Sequence, residues 1–197
     1  MDYPTYVMIN DERYDIDTDF RTAIECQRIA TDENIGDYER ALAVIFKLFG
    51  KKGLYARQDH KMLLEKAKKY LSCGKEIEET DEEPDMDYIE DFDYIEASFM
   101  SDFHIDLAEE KMHWWKFSKL MNGLSNSEFG NCCVLNRIRN IRTMDTSGVT
   151  DKKTLQTIME QKKRFALNKK KPSEEQKNSA RAFYEMLKRG EKDGKSR

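Results

Sequence analysis

Proline and glycine are scarce in this chain, three and nine among 197 residues. That scarcity excludes loop-rich all-β architectures and favours long regular elements. No run approaches the roughly 20 consecutive apolar residues that a membrane span requires, so no membrane partner is expected. Met1-Asp2-Tyr3-Pro4 lacks the basic and apolar regions of a secretory signal. Four cysteines, Cys26, Cys73, Cys132 and Cys133, follow no disulfide framework and form no CxxC pair. A reduced, cytosolic protein is the expectation. Phosphate-cradling loops of the GxGxxG or GKS/GKT type are missing. His60, His104 and His113 stand apart from one another and from ligand spacing. Together these absences predict no catalytic residue, no metal and no cofactor: an interaction protein, not an enzyme.

What the chain does have is charge, and the charge is sorted. Apolar residues make up 39% and charged ones 37%, with mean hydropathy −0.85, which suits a modest core under a heavily solvated surface. Residues 1–75 carry 13 basic and 13 acidic side chains. Residues 76–110 carry 16 acidic and none basic, and residues 111–197 carry 21 basic and 9 acidic. Arg137, Arg139, Arg142, Lys162-Lys163-Arg164 and Lys169-Lys170-Lys171 could contact phosphates. An acidic block beside a basic one instead favours pairing within the chain or between subunits, and nucleic acid is disfavoured as a partner.

Periodicity predicts a mainly α fold with a small N-terminal β-hairpin, its two helical halves joined by an acidic linker. Tyr6–Ile9 and Tyr14–Ile16 flank the turn-forming Asn10-Asp11-Glu12. A helix capped by Thr18 is expected to run to Ala30, with Phe20, Ala23, Ile24 and Gln27 on one side. Tyr38, Leu42, Ile45, Phe46 and Phe49 mark a second helix ended by Gly50 and Gly53, and Leu63 to Leu71 a third closed by Gly74. The hairpin and these helices make up residues 1–74, and 75–86 form the linker. The helical half 87–167 opens with Tyr88, Phe92, Ile95, Phe99 and Phe103 on one stripe, leaving Asp87, Glu90, Asp91, Asp93 and Glu96 mostly on the other faces. Further helices are expected over 107–122 and 151–167, and between them residues 128–142 alternate apolar and basic character, Val134, Leu135, Ile138 and Ile141 against Arg137, Arg139 and Arg142. Residues 168–197 form a basic last helix and tail, with Ser173-Glu174-Glu175-Gln176 as its capping box.

Met112-His113-Trp114-Trp115-Lys116-Phe117 is the densest aromatic cluster. Neighbouring tryptophans on a helix point about 100° apart, so one can be core while the other covers an adjoining element or a partner.

Several segments resemble tail assembly chaperones of long-tailed phages of Gram-positive bacteria. They are Ile16 to Thr22, Ala97-Ser98-Phe99, His104 to Leu107, Met112 to Phe117, Leu120 to Leu124, Ile138 to Asp145, and Lys163 to Leu167. The resemblance spans 6–167, and nothing after Pro172 has a counterpart. It implies a factor of the host cytoplasm, absent from the mature virion, that coats the helical tape-measure protein before tube subunits polymerise around it. The tail tube protein and a second copy of the chain are further candidate partners. Partner-binding residues expected on this basis are His113, Trp114, Trp115 and Phe117.

Overall fold

The computed structural model describes residues 2–32, 34–76, 84–127 and 131–168. The described residues are mainly helical, with one two-stranded antiparallel hairpin. They fall into two compact units, one of residues 2–76 with Met112–Trp115, the other of 84–111 with 116–168. The stretch 77–83 and the expected helix Ser173–Arg189 lie outside the described residues.

In the first unit, β1 (Tyr6–Ile9) and β2 (Glu12–Asp15) pair with Val7 opposite Tyr14 and Met8 opposite Arg13. Asn10 and Asp11 both have positive φ (48° and 63°), the two-residue turn whose twist matches that of the strands. Ile9 and Tyr14 face inward, while Tyr6 and Met8 face out and the Arg13 guanidinium covers the Tyr6 ring at 4.2 Å.

Helix α1 (Phe20–Thr31) is capped by Asp19, whose carboxylate accepts from the Arg21 amide at 2.9 Å, and not by Thr18. The Thr18 carbonyl is taken instead by the Trp114 amide, which draws Thr18 into an extended pairing. The inward face holds Cys26 where Gln27 was expected. Helix α2 (Asp37–Tyr55) bends at Gly50 (φ 63°, ψ −159°), then resumes for one more turn. A Cβ at Gly53 would sit 2.6 Å from that of Phe49, so close packing requires glycine there. After a 3-10 turn at Arg57–Asp59, α3 (His60–Leu71) buries Leu63, Leu64, Ala67 and Tyr70.

In the second unit, α4 (Phe92–Phe103) begins later than the aromatic stripe suggests. The Asp87 carboxylate accepts from the amides of Ile89 and Glu90, holding Tyr88 to Glu90 in a turn. Asp91, expected on a face away from the aromatic stripe, is 1% exposed. The helix closes with His104 in the left-handed region, φ 55°.

The helix expected over 107–122 is shorter: α5 is Trp114–Asn122. Its first two residues count with the first unit and the rest with the second. Helices α6 (Val134–Thr143) and α7 (Lys152–Phe165) follow. Phe99 stacks on Phe117 (5.1 Å, 13°) and meets Phe103 edge-on, with Ile95, Leu107, Leu135 and Ile138 buried beside them. Each such large side chain contributes about 1.5–3 kcal/mol by leaving water. The buried Ser98 hydroxyl accepts from the Leu135 amide, satisfying one of the orphan donors of α6 from a different helix.

Candidate interaction surfaces

The Met112–Phe117 segment is built into the fold. Its entry pairs with the first unit: the Phe20 amide donates to the Met112 carbonyl at 2.9 Å, and the Trp114 amide to the Thr18 carbonyl at 2.8 Å. His113 sits at the N-terminus of α5, where the Trp115 amide donates to its Nδ1 at 3.0 Å. The ring proton therefore lies on Nε2, which donates to the Pro4 carbonyl at 3.0 Å. Tyr3 stacks on the same ring at 4.9 Å.

Both tryptophans serve the end of α3. The last carbonyls of a helix have no partner within it. Trp114 Nε1 donates to the Leu71 carbonyl (3.0 Å) and Trp115 Nε1 to the Tyr70 carbonyl (2.9 Å). Trp115 also stacks on Tyr70, and a Cβ at Gly74 would lie 3.4 Å from its ring.

Of the four residues expected to meet a partner, Trp114 is 2% exposed and Phe117 0%. Both side chains are core, Trp114 in the first unit and Phe117 in the second. His113 and Trp115 are half-buried and remain within reach of solvent.

The charge blocks meet inside the second unit. Arg142 donates to both carboxylate oxygens of Asp91 at 2.7 Å each, to the Asp85 carbonyl at 2.8 Å and to the Phe165 carbonyl at 2.6 Å. One side chain thus ties together the approach to α4, the start of α4 and the end of α7. The bond to Asp91 raises the basicity of the guanidinium further. Arg139 pairs with the Asp85 carboxylate at 2.9 Å, so a residue read as linker is anchored at two points. Two of the three α6 arginines that suggested a phosphate-binding patch are therefore engaged by acidic groups of this chain.

Exposed apolar side chains lie elsewhere. On α2, Tyr38 and Phe46 are exposed and Leu42 between them is half-buried, at spacings of four that make one ridge. On α7, no residue is buried, although Leu155, Ile158, Met159 and Phe165 recur at helical spacing. Sequence periodicity marks both stripes as apolar, but only the packing shows that Tyr38, Phe46 and Met159 are left exposed. Among the described residues, no three His, Cys, Asp or Glu side chains cluster as a metal site, and no helix is long and apolar enough to cross a membrane.

The described residues thus define a mainly helical protein with a small hairpin and with apolar side chains exposed on α2 and α7. A family model described as Bacteriophage Gp15 protein matches residues 2–167, and the chain belongs to that bacteriophage family. No curated protein and no solved structure matches.

Proposed function

We propose that this phage protein is a tail assembly chaperone, which binds the tape-measure protein in the host cytoplasm and leaves before the virion is complete. The observation that carries the reading is the set of apolar side chains exposed on two helices, Tyr38 and Phe46 on α2, whose inner face is already filled, and Met159 on α7, where no residue is buried. A tape-measure protein is a long helix with apolar surface that aggregates unless covered. Helical ridges of this kind suit a helix-in-groove mode repeated along such a rod. Family membership over 2–167 supports a phage role, and the resemblance of Ile16–Thr22, Met112–Phe117 and Ile138–Asp145 to tail assembly chaperones supports the finer one.

The nucleic-acid reading is weakened by the engagement of Arg139 and Arg142 with Asp85 and Asp91.

Co-expression with the tape-measure protein of the same phage tests the proposal. The two are expected to co-purify, with the tape measure soluble only when this chain is present. A tape measure that aggregates equally in both cases removes the reading.

A further inference from the structure

Helix α7 is held at one end. Arg142 bonds the Phe165 carbonyl, Lys162 bonds the Met144 carbonyl, and the Asn168 amide bonds Glu90, all within or just after its last turn. Towards the other end, the bonds among the described residues are local: the Asp151 cap to Thr154, Thr157 to the Lys153 carbonyl, and Gln156 to Glu160. Ile158 and Leu155 are half-buried, and Met159 is 54% exposed.

The exposed edge has a definite chemistry. Lys152, Met159 and Lys163 are spaced seven and four apart and share one side of the helix, so two cations border the open apolar stripe. Both lysines are exposed. A second copy packed antiparallel would set Lys152 against Lys163 in both directions, a like-charge contact that opposes self-pairing. The chain's own acidic run, Glu76 to Glu83, contains a single large apolar residue, Ile77, and has no stripe with which to fill the face.

We infer that the edge formed by Leu155, Ile158 and Met159 between Lys152 and Lys163 is a docking surface for an amphipathic helix of another chain whose apolar stripe is bordered by Asp or Glu. Apolar burial supplies the contact, and the paired charges set partner choice and orientation, as flanking positions do in helix pairs. The inference rests on the tail-assembly reading only for naming the natural partner, a segment of the tape-measure protein.

The probe is a fluorescent peptide of about three heptads with Leu at the core positions and Glu at the flanking ones, whose own repulsion keeps it from pairing with itself. Titrated with the full chain, it is expected to bind, and the same peptide with Lys flanks to bind at least about tenfold more weakly. Ile158→Asp and Met159→Glu should each weaken binding of the Glu peptide by about tenfold, with circular dichroism unchanged because neither side chain is core. Reversing both charges, Lys152→Glu with Lys163→Glu, should exchange the preference between the two peptides.

Equal binding of both peptides, no binding, or indifference to both stripe variants overturns the inference. A dimer that Ile158→Asp converts to monomer would assign the face to a second copy. Competition by an oligonucleotide but not by unlabelled Glu peptide would assign it to nucleic acid. If Ile158→Asp still keeps the tape measure soluble, this surface falls and the chaperone reading stands. If the peptide binds as expected but the tape measure never co-purifies, the reading falls and the surface stands.

Discussion

Each unit buries one aspartate next to its principal lock, and the two are satisfied in opposite ways. In the first, Asp59 (3% exposed) accepts from the Tyr14 hydroxyl at 2.7 Å and the Asn10 amide at 3.0 Å, neutral donors that fasten the hairpin to the start of α3. In the second, Asp91 is gripped by both terminal nitrogens of Arg142 and also accepts from the Asp87 amide. The difference follows the charge pattern of the sequence. The first unit comes from a stretch with balanced charge, the second from an acidic block folded onto a basic one. Segregated charge is thus spent partly inside the molecule, and what remains outside on α7 is net positive.

The two locks should fail differently. Arg142→Ala leaves Asp91 buried without its counter-ion and removes the donors to Asp85 and Phe165, a loss of about 3–5 kcal/mol. Replacing the pair together, Asp91→Leu with Arg142→Met, should recover most of it, because the desolvation of both charges is then avoided. Asp59→Ala strands only neutral groups and should cost about 1–3 kcal/mol. The two tryptophans, Trp114 and Trp115, both belong to the first unit, so their emission follows that unit while circular dichroism follows both. Emission should be blind to Arg142→Ala and sensitive to Asp59→Ala. A shift of the emission midpoint by both variants would show that the units melt as one, and the comparison would collapse.

The same contrast marks what sequence can tell. The hairpin is legible because Asn10-Asp11-Glu12 is a turn signal between two short strands, and α2, α3 and α7 because their apolar spacing is regular, whereas alternating apolar and basic character alone does not mark α6 as a helix. Asp91 is misplaced because the aromatic stripe puts the acidic residues on the other faces; it lies four residues before the buried Ile95, and Arg142, which no local pattern links to it, is what allows its burial. The late start of α5 was invisible, because it depends on Met112 and Trp114 pairing with Thr18–Phe20, more than 90 residues earlier in the chain. Trp114 and Phe117 read as interaction residues for their type, while their burial depends on contacts that no local pattern encodes. The half-buried Trp115 was anticipated only as one of two alternatives.

Alkaline pH should sharpen the contrast next. Burial pushes the Cys26 thiol up to about 12 and holds the Tyr14 and Tyr70 phenols above their ordinary range, with Asp59 adding to the effect on Tyr14. All three groups are in the first unit. Each is neutral in both states at pH 7, so its contribution is fully present there. As pH rises past about 8.5 for a thiol and about 10 for a phenol, the unfolded chain ionises and the folded one does not, and stability falls through the folded value. The midpoint of the tryptophan emission shift should therefore drop steadily from pH 9 to 11. A midpoint independent of pH over that range would show that these groups are not buried as described.

Tyr70 offers the smallest and most discriminating change. Its hydroxyl is buried and has no hydrogen-bond partner among the described residues, while its carbonyl holds Trp115 and its ring stacks on that indole. An unsatisfied buried hydroxyl costs about 1–3 kcal/mol relative to a paired one. Tyr70→Phe keeps the ring, the carbonyl and the stacking and removes only the stranded group. Stability at pH 7 should stay level or rise by up to about 1 kcal/mol, and part of the alkaline loss should vanish with the phenol. Tyr14→Phe is the matched control: it removes a hydroxyl that is bonded to Asp59, so it should destabilise at pH 7 while also flattening the alkaline slope. If Tyr70→Phe destabilises as much as Tyr14→Phe, the hydroxyl has a partner, and the end of α3 is held by more than the two indoles.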